Sequence, residues 1–265
     1  MTPPDAPQAL LIRTAGTNCD LELAHGLSLA GAAPTTLHIQ QLLDRPECLD
    51  GFDLIALPGG FSHGDDIAAG RVFAVRLQSL LDPLRRAIDR GVPILGVCNG
   101  FQVLVKLGLL PDPAAQAQQT TLTHNATGRF IDKWVGVEAP GDTVCVWTKP
   151  LAVQGRFELP IAHGEGRFVA EDDVLQRLCA QGQAALRYAP GENPNGSAGD
   201  LAGVCDSTGR VFGLMPHPER ATDFTHHPAW TRMTPAERNR EPLGLRMLRC
   251  GVASAASAAS PAAGV

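Results

Sequence analysis

The stretch PILGVCNGFQVL, residues 93–104, decides the fold because it joins two kinds of local structure through one turn. PILGV is a short apolar run introduced by a proline, which is typical of a buried strand. We predict that this strand ends at Val97 and that a helix begins near Asn99, so that Cys98 occupies a sharp turn between them. Open α/β sheets bind their ligands at such carboxyl ends of strands.

Other apolar runs of the same kind precede this stretch, and segments with helical spacing separate them. Between Val72 and Ile88, for example, apolar residues recur every three or four positions. Strands with little polar alternation that are separated by helices form parallel sheets covered on both faces. We therefore predict an α/β protein with an open, mostly parallel sheet, and the further strands are ALLIRT (9–14), TTLHI (35–39) and DLIALP (53–58).

After Pro111 the pattern changes to strand-like runs joined by glycine-rich turns, which favours additional antiparallel strands. The segment CDSTGRVFG (205–213) predicts a hairpin with STG at its turn. We expect one domain over residues 1–250 and a disordered tail of small residues over 251–265. The strand-like runs are GRFIDKWVGVEA (128–139), DTVCVWT (142–148), LPIAHGEGRF (159–168), QAALRYA (183–189) and LAGVCDSTGRVFGLMP (201–216).

The composition is that of a globular protein and excludes several classes of function. The chain has 265 residues, of which 44% are hydrophobic and 18% charged, and its net charge is −5 with no dense run of basic residues, which argues against a nucleic-acid partner. Its seven cysteines are scattered and form no C-x-x-C pair, which argues against a metal site and against a disulfide framework. Neither a signal peptide nor a membrane span is predicted, so we expect a cytoplasmic protein.

Cys98 is the candidate nucleophile, although a free cysteine can equally be a small packing residue. A thiol nucleophile needs a base, and the base needs a group that orients it. His217 and Glu219 lie two residues apart in GLMPHPER (213–220). In an extended segment such residues point to the same side, so we expect Glu219 to hold the His217 ring.

A glycine pair at the end of the run 53–58 adds a third feature. Gly59 and Gly60 expose backbone N–H groups without side-chain obstruction, and such groups stabilise the negative oxygen of a tetrahedral intermediate. None of the three features decides the matter alone. Together they favour catalysis at Cys98 over a packing role.

These motifs resemble those of the class I, or triad, glutamine amidotransferases. GVCNGFQ (96–102) matches the pattern G-x-C-x-G-x-Q, and HPE (217–219) matches the histidine and glutamate of that family. Other blocks resemble the members of the family that serve purine synthesis. These blocks are GTNCD (16–20), PGGFSHGDD (58–66), HNATGRF (124–130), PIAHGEGRF (160–168) and NPNGSAGDLAGVCD (193–206).

The resemblance implies a flavodoxin-like fold and a glutaminase that releases ammonia. By this resemblance Cys98 attacks the side-chain amide of glutamine and forms a thioester, His217 transfers protons, and Glu219 orients His217. The N–H groups of Gly60 and Asn99 would form the oxyanion hole.

The resemblance also implies that Gln102 helps to frame the glutamine pocket, whereas it gives His163 and Glu165 no definite role. We expect no cofactor in this chain, which lacks a G-x-x-x-x-G-K-[ST] loop, and we expect ATP and magnesium on a separate synthetase subunit. A small third subunit would be a possible bridge between the two. The alternatives are an amidotransferase of another pathway, a stand-alone γ-glutamyl hydrolase and a non-catalytic docking subunit.

Overall fold

The chain is organised around a single nine-stranded sheet, which we describe from a computed structural model for residues 5–115 and 117–259. The strands are β1 (Gln8–Arg13), β2 (Ala33–His38), β3 (Leu54–Leu57), β4 (Ile94–Val97), β5 (Thr120–Thr123), β6 (Ile131–Glu138), β7 (Phe157–His163), β8 (Arg167–Ala170), β9 (Ala184–Tyr188), β10 (Leu201–Cys205) and β11 (Val211–Leu214). The helices are α1 (Asp20–Leu29), α2 (Ile39–Asp44), α3 (Arg71–Leu77), α4 (Leu81–Asp89), α5 (Asn99–Lys106), α6 (Asp172–Ala180), α7 (Pro235–Arg238) and α8 (Leu243–Ala259).

The strand order is β2-β1-β3-β4-β11-β10-β9-β6-β7, and the sheet has two halves. From β2 to β11 neighbouring strands are parallel, whereas from β11 to β7 they are antiparallel. A separate two-stranded ribbon pairs β5 with β8. The prediction of an open α/β sheet with additional antiparallel strands is confirmed, as is the hairpin that joins β10 to β11.

The strands β3 and β4 are buried along their whole length, as their lack of polar residues predicts. Helix α5 packs directly on β3, and the contact depends on Gly100. A side-chain carbon at Gly100 would lie 2.0 Å from the carbonyl oxygen of Leu57. The close approach of helix and strand brings the start of α5 to the edge where β3 ends.

Two local predictions were wrong. DTVCVWT (142–148) forms no strand and is instead an irregular segment in which Cys145 and Trp147 are buried, because Trp147 packs against Phe212 and donates a hydrogen bond to the carbonyl of Arg210. The prediction of a disordered tail from residue 251 onward was also wrong, because helix α8 continues to Ala259.

Two residues within the expected tail explain this continuation of α8. Val252 and Ala255 are buried, so the small side chains of this segment pack against the domain instead of leaving it disordered. Residues 260–265 of the expected tail lie outside the described residues. Among the described helices, none combines the length and the apolar character that crossing a bilayer requires.

Candidate active site

The turn between β4 and α5 has the predicted form, with Cys98 as its only residue. Its backbone has φ +51° and ψ −104°, values that a residue with a side chain seldom adopts. The Cys98 N–H donates a hydrogen bond to the carbonyl of Leu214 at 2.8 Å, which ties the turn to the end of β11. Strained turns of this kind expose a nucleophile at the top of a parallel sheet.

The His217–Glu219 pair follows β11, the strand next to β4. Nδ1 of His217 lies 2.7 Å from Oε1 of Glu219, and both residues are buried. The two side chains are in contact as expected, but the backbone between them is not extended. Pro218–Arg220 form one turn of 3₁₀ helix, which brings the carboxylate back to the ring.

Burial and the neighbouring groups act on His217 in opposite directions. Burial lowers the pKa of the imidazole, but the Glu219 carboxylate, together with the nearby thiols of Cys19 and Cys98, raises it well above its usual value. The Nε2 atom has no hydrogen-bond partner among the described residues. A protonated His217 therefore presents a free N–H on the side away from Glu219.

Cys98 and His217 meet across Gly59. A side-chain carbon placed on Gly59 would lie 2.9 Å from Cε1 of His217 and 3.5 Å from Cβ of Cys98. Only a glycine leaves room for the thiol and the imidazole at this point. The structure thus brings together the candidate nucleophile and the candidate base, which lie 119 positions apart along the chain.

The two backbone N–H groups predicted for an oxyanion hole belong to the residues that follow Gly59 and Cys98 in the chain. Gly60 follows β3 with φ +143°, and Asn99 is the first residue of α5. Within the described part of the chain, neither N–H donates a hydrogen bond to a protein acceptor. The start of α5 also carries a partial positive charge, which favours a negative oxygen.

A cavity of about 240 Å³ opens beside Cys98. Gln102 lines it, but its side-chain amide is already engaged, because Oε1 accepts from Nδ2 of Asn99 and Nε2 donates to the carbonyl of Glu165. Gln102 therefore forms part of the cavity wall and holds the antiparallel half against the parallel half. The antiparallel half contributes Ala162, His163, Gly164 and Glu165 to the lining.

Two titratable groups on the cavity wall have shifted pKa values. Burial and the neighbouring His217 lower the pKa of His163 to about 4, so this ring is neutral, with its Nδ1 3.0 Å from Oδ1 of Asn125. Burial and the Glu165 carboxylate raise the pKa of Asp65 to about 6. One wall of the cavity is therefore acidic.

The sequence reasoning did not single out Asp65 or Cys19 as site residues. Cys19 is buried, and with His217 and Glu219 it forms a cluster whose ligand-type atoms lie within 4.8 Å of one another. Both residues belong to blocks that carry the family resemblance, GGFSHGDD and GTNCD. Membership in those blocks was the available signal, since residue type alone does not separate Cys19 from the other cysteines.

Comparison with known proteins agrees with this fold and shows the family. Residues 6–252 match the model of the CobB/CobQ-like glutamine amidotransferase domain, and the chain belongs to that family. A solved structure of a glutamine amidotransferase from Thermotoga maritima superposes over 96% of this chain and 99% of that chain, with a TM-score of 0.56 at 16% identity. At that identity the match supports the fold alone.

More similar relatives narrow the assignment within the family. The chain is 42% identical to the phosphoribosylformylglycinamidine synthase subunit PurQ of Dehalococcoides mccartyi over 84% of its length and 89% of that protein. It is 38% identical to the subunit of the same name from Treponema denticola, over 93% of this chain and 98% of the other. The structure of PurLQS from Thermotoga maritima matches with a TM-score of 0.71 and 33% identity, over 94% of this chain and 98% of that chain.

Proposed function

We propose that this chain is the glutaminase subunit of a phosphoribosylformylglycinamidine synthase, which supplies ammonia for a step of purine synthesis. The observation that carries the proposal is the arrangement at the ends of β3, β4 and β11. There the Cys98 thiol lies near the buried His217–Glu219 pair, and two unengaged N–H groups lie beside a cavity. The relatives of the same length bear the name of this subunit.

The chemistry follows from the positions of these groups. The proton of the Cys98 thiol is held by His217, whose raised pKa favours the protonated ring, and the Cys98 sulfur attacks the side-chain amide carbon of glutamine. The resulting negative oxygen is held by the N–H groups of Gly60 and Asn99. The protonated His217 then gives its proton to the amide nitrogen, the C–N bond breaks, and ammonia leaves a γ-glutamyl thioester.

The second half of the reaction uses the same groups. His217 takes a proton from a water molecule, which attacks the thioester carbon, and the C–S bond breaks. Glutamate is released and Cys98 regains its proton from His217. Throughout both halves Glu219 keeps the ring oriented and stabilises its protonated form.

We expect the ammonia to be used at a second active site, since this chain lacks the G-x-x-x-x-G-K-[ST] loop that binds ATP in many synthetases. We propose that a separate synthetase subunit binds ATP and magnesium and consumes the ammonia, and a small third subunit is a candidate bridge. The solved relative described as PurLQS supports an assembly of this kind. Ammonia that escaped into water would be protonated and lost, so the synthetase should cover the mouth of the cavity.

The rim of the cavity has the apolar character that such a seal needs. Phe61 and Phe130 line the cavity and are about half exposed, with ring centroids 6.2 Å apart. Nearby in the chain, Ile67 is 88% exposed and has φ +70°, an unusual conformation for a β-branched residue. Exposed apolar groups around a site are typical of an interaction surface.

The experiment is reconstitution of the complex with Cys98→Ala. We expect glutamine-dependent amidine formation to fall by about a thousandfold or more, because the nucleophile is lost. Formation from added ammonium salts should remain, since the synthetase site is unchanged. Cys48→Ala, which removes a partly buried thiol on a different part of the chain, is the matched control and should retain both activities.

Other outcomes would decide against the proposal. Loss of both activities in the Cys98→Ala complex would contradict the division of labour between the subunits. Rapid glutamine hydrolysis by the isolated wild-type chain would favour the stand-alone hydrolase. A Phe130→Asp variant tests the rim separately, because it should weaken binding of the synthetase while leaving Cys98 in place.

A further inference from the structure

A second cysteine, Cys19, lies inside the catalytic centre and has no part in the mechanism above. It precedes α1 and is 1% exposed. A side-chain carbon placed on Gly59 would lie 3.1 Å from Sγ of Cys19, as well as close to His217 and Cys98. Two thiols therefore share the surroundings of one imidazole.

Cys19 is poorly suited to be a second nucleophile. It does not line the cavity beside Cys98, and burial raises the pKa of its thiol, so the sulfur stays protonated. Its S–H group donates to Oδ1 of Asn18 at 3.2 Å. A neutral and enclosed thiol of this kind neither attacks a substrate nor carries charge.

The sulfur is nevertheless held firmly by polar neighbours. Nη2 of Arg220 donates a hydrogen bond to Sγ of Cys19 at 3.1 Å, and Nε of Arg220 is 2.8 Å from Oε1 of Glu22 on α1. Arg220 comes directly after Glu219 and so belongs to the same turn as the base and its orienting group. The Cys19 sulfur thereby joins α1 to the turn that carries His217.

The backbone of Cys19 acts on the other half of the site. The N–H groups of Asn18 and Cys19 both donate to the carbonyl of Gly59, at 3.4 and 3.2 Å. That carbonyl belongs to the same peptide plane as the N–H of Gly60, and the two groups point in opposite directions in a trans peptide. Anchoring the carbonyl therefore fixes the direction of the N–H assigned to the oxyanion hole.

We propose that Cys19 is a positioning residue for glutamine hydrolysis, whose sulfur holds the His217 ring between Glu219 and Cys98. The inference rests on the proposed function and deepens it. Glu219 fixes only Nδ1, which leaves the ring free to tilt about that contact. Sγ of Cys19 lies within 4.8 Å of ligand-type atoms of both His217 and Glu219 and accepts a hydrogen bond from Arg220, so it packs beside the pair and restricts this tilt.

The test compares Cys19→Ala and Cys19→Ser in the reconstituted complex, with Cys48→Ala as the control. We expect Cys19→Ala to lower the glutamine-dependent kcat by about 10- to 100-fold, the scale of a misplaced catalytic group, with little change in KM. Because the thiol raises the pKa of His217, its removal should also move the basic limb of the kcat/KM profile to lower pH. Cys19→Ser keeps a hydrogen-bonding group and should restore most of both properties.

Glutamine-dependent amidine formation by the wild-type complex separates a failure of this inference from a failure of the proposed function. The proposed function itself fails if the wild-type complex forms no amidine from glutamine. If the wild type is active and Cys19→Ala has the same kcat and the same basic limb, the sulfur is only a filler and the inference is overturned.

A loss in Cys19→Ser as large as that in Cys19→Ala would also overturn it, because hydrogen bonding would then be irrelevant. If Cys19→Ala does not fold, Cys19→Val takes its place, because it fills the site without a hydrogen-bonding group. A lower glutamine-dependent kcat in Cys19→Val, with its basic limb at lower pH than in Cys19→Ser, supports the inference. The same kcat and the same basic limb in Cys19→Val as in the wild type overturn it.

Discussion

Two cavities in the described part of the chain lie at or near a histidine–glutamate pair, and only one of them has the features of an active site. The larger cavity, about 530 Å³, is lined by His227 and Glu158, which are 2.7 Å apart and partly exposed. The smaller cavity, about 240 Å³, is lined by Cys98, and near Cys98 lies the buried pair His217 and Glu219, which are also 2.7 Å apart. The type of pair is the same at both cavities, and the larger volume does not belong to the cavity that adjoins Cys98.

The difference lies in what surrounds each pair. Around His217 the ends of parallel strands bring together a strained cysteine turn and N–H groups without a protein acceptor, and the pair itself is buried. Around His227 the neighbours are the Trp134 ring and the ion-paired Arg156, which engage the histidine and the carboxylate in a surface network. Chemical function therefore depends on burial and on backbone donors that only the carboxyl ends of the parallel strands supply.

The largest effect should come from the same substitution made in each pair. Glu219→Gln removes the charge that raises the pKa of His217, and we expect the glutamine-dependent kcat to fall by about 10²- to 10⁴-fold. The basic limb of the pH profile should also move to lower pH. Steady-state kinetics of the reconstituted complex measures both effects, with ammonia-dependent turnover as the internal reference.

Glu158→Gln is the matched control, because it breaks the exposed pair at the same distance. Exposed ion pairs contribute about 0–1 kcal/mol to stability, so this variant should unfold nearly as the wild type does and retain its kinetics. Equal losses of activity in Glu219→Gln and Glu158→Gln would contradict the conclusion that only the smaller cavity adjoins the catalytic groups.

A smaller effect should follow from Gly60→Ala, which tests the backbone donors. The new side-chain carbon would lie 2.7 Å from the carbonyl oxygen of Gly16 and 2.8 Å from the nitrogen of Asn18, so the Gly60 peptide has to move. Loss of one oxyanion donor costs about 10²- to 10³-fold in kcat, and we expect a decrease of that size with unchanged ammonia-dependent activity.

Gly31→Ala provides the control for this backbone effect. Gly31 also has a positive φ, +104°, but an added carbon would meet no described atom within 4 Å. Any loss that reflects general strain should occur in both variants. A normal glutamine-dependent kcat in Gly60→Ala would remove Gly60 from the proposed oxyanion hole.

The smallest effect should come from Trp134→Ala in the larger cavity. The Trp134 ring packs edge-on against His227 with centroids 4.6 Å apart, and its loss should lower the free energy of unfolding by about 1–2 kcal/mol. Denaturant unfolding measures this change. A tenfold or greater decrease in glutamine hydrolysis would show instead that the larger cavity takes part in catalysis.

Particular residues show how far sequence reasoning reaches in this protein. The strands β1 to β4 and the turn at Cys98 were predictable because buried parallel strands are nearly all apolar and are punctuated by glycine and proline. The tail was mispredicted because alanine and serine give no hydrophobic signal, although Val252 and Ala255 find a surface to pack against. The run 142–148 was mispredicted as a strand because its apolar residues are buried in an irregular segment around Trp147, where they pack in the core without pairing in a sheet.

The sequence by itself determined the class of fold, the family and the candidate nucleophile, base and orienting carboxylate. These conclusions rest on local patterns and on motifs, which are readable one segment at a time. The tertiary structure alone decided that Cys19 lies beside His217 and that Pro218 turns Glu219 back to the ring. It also decided which of two similar cavities adjoins the thiol. Such facts depend on contacts between segments far apart in the chain, and no local pattern encodes the distance between them.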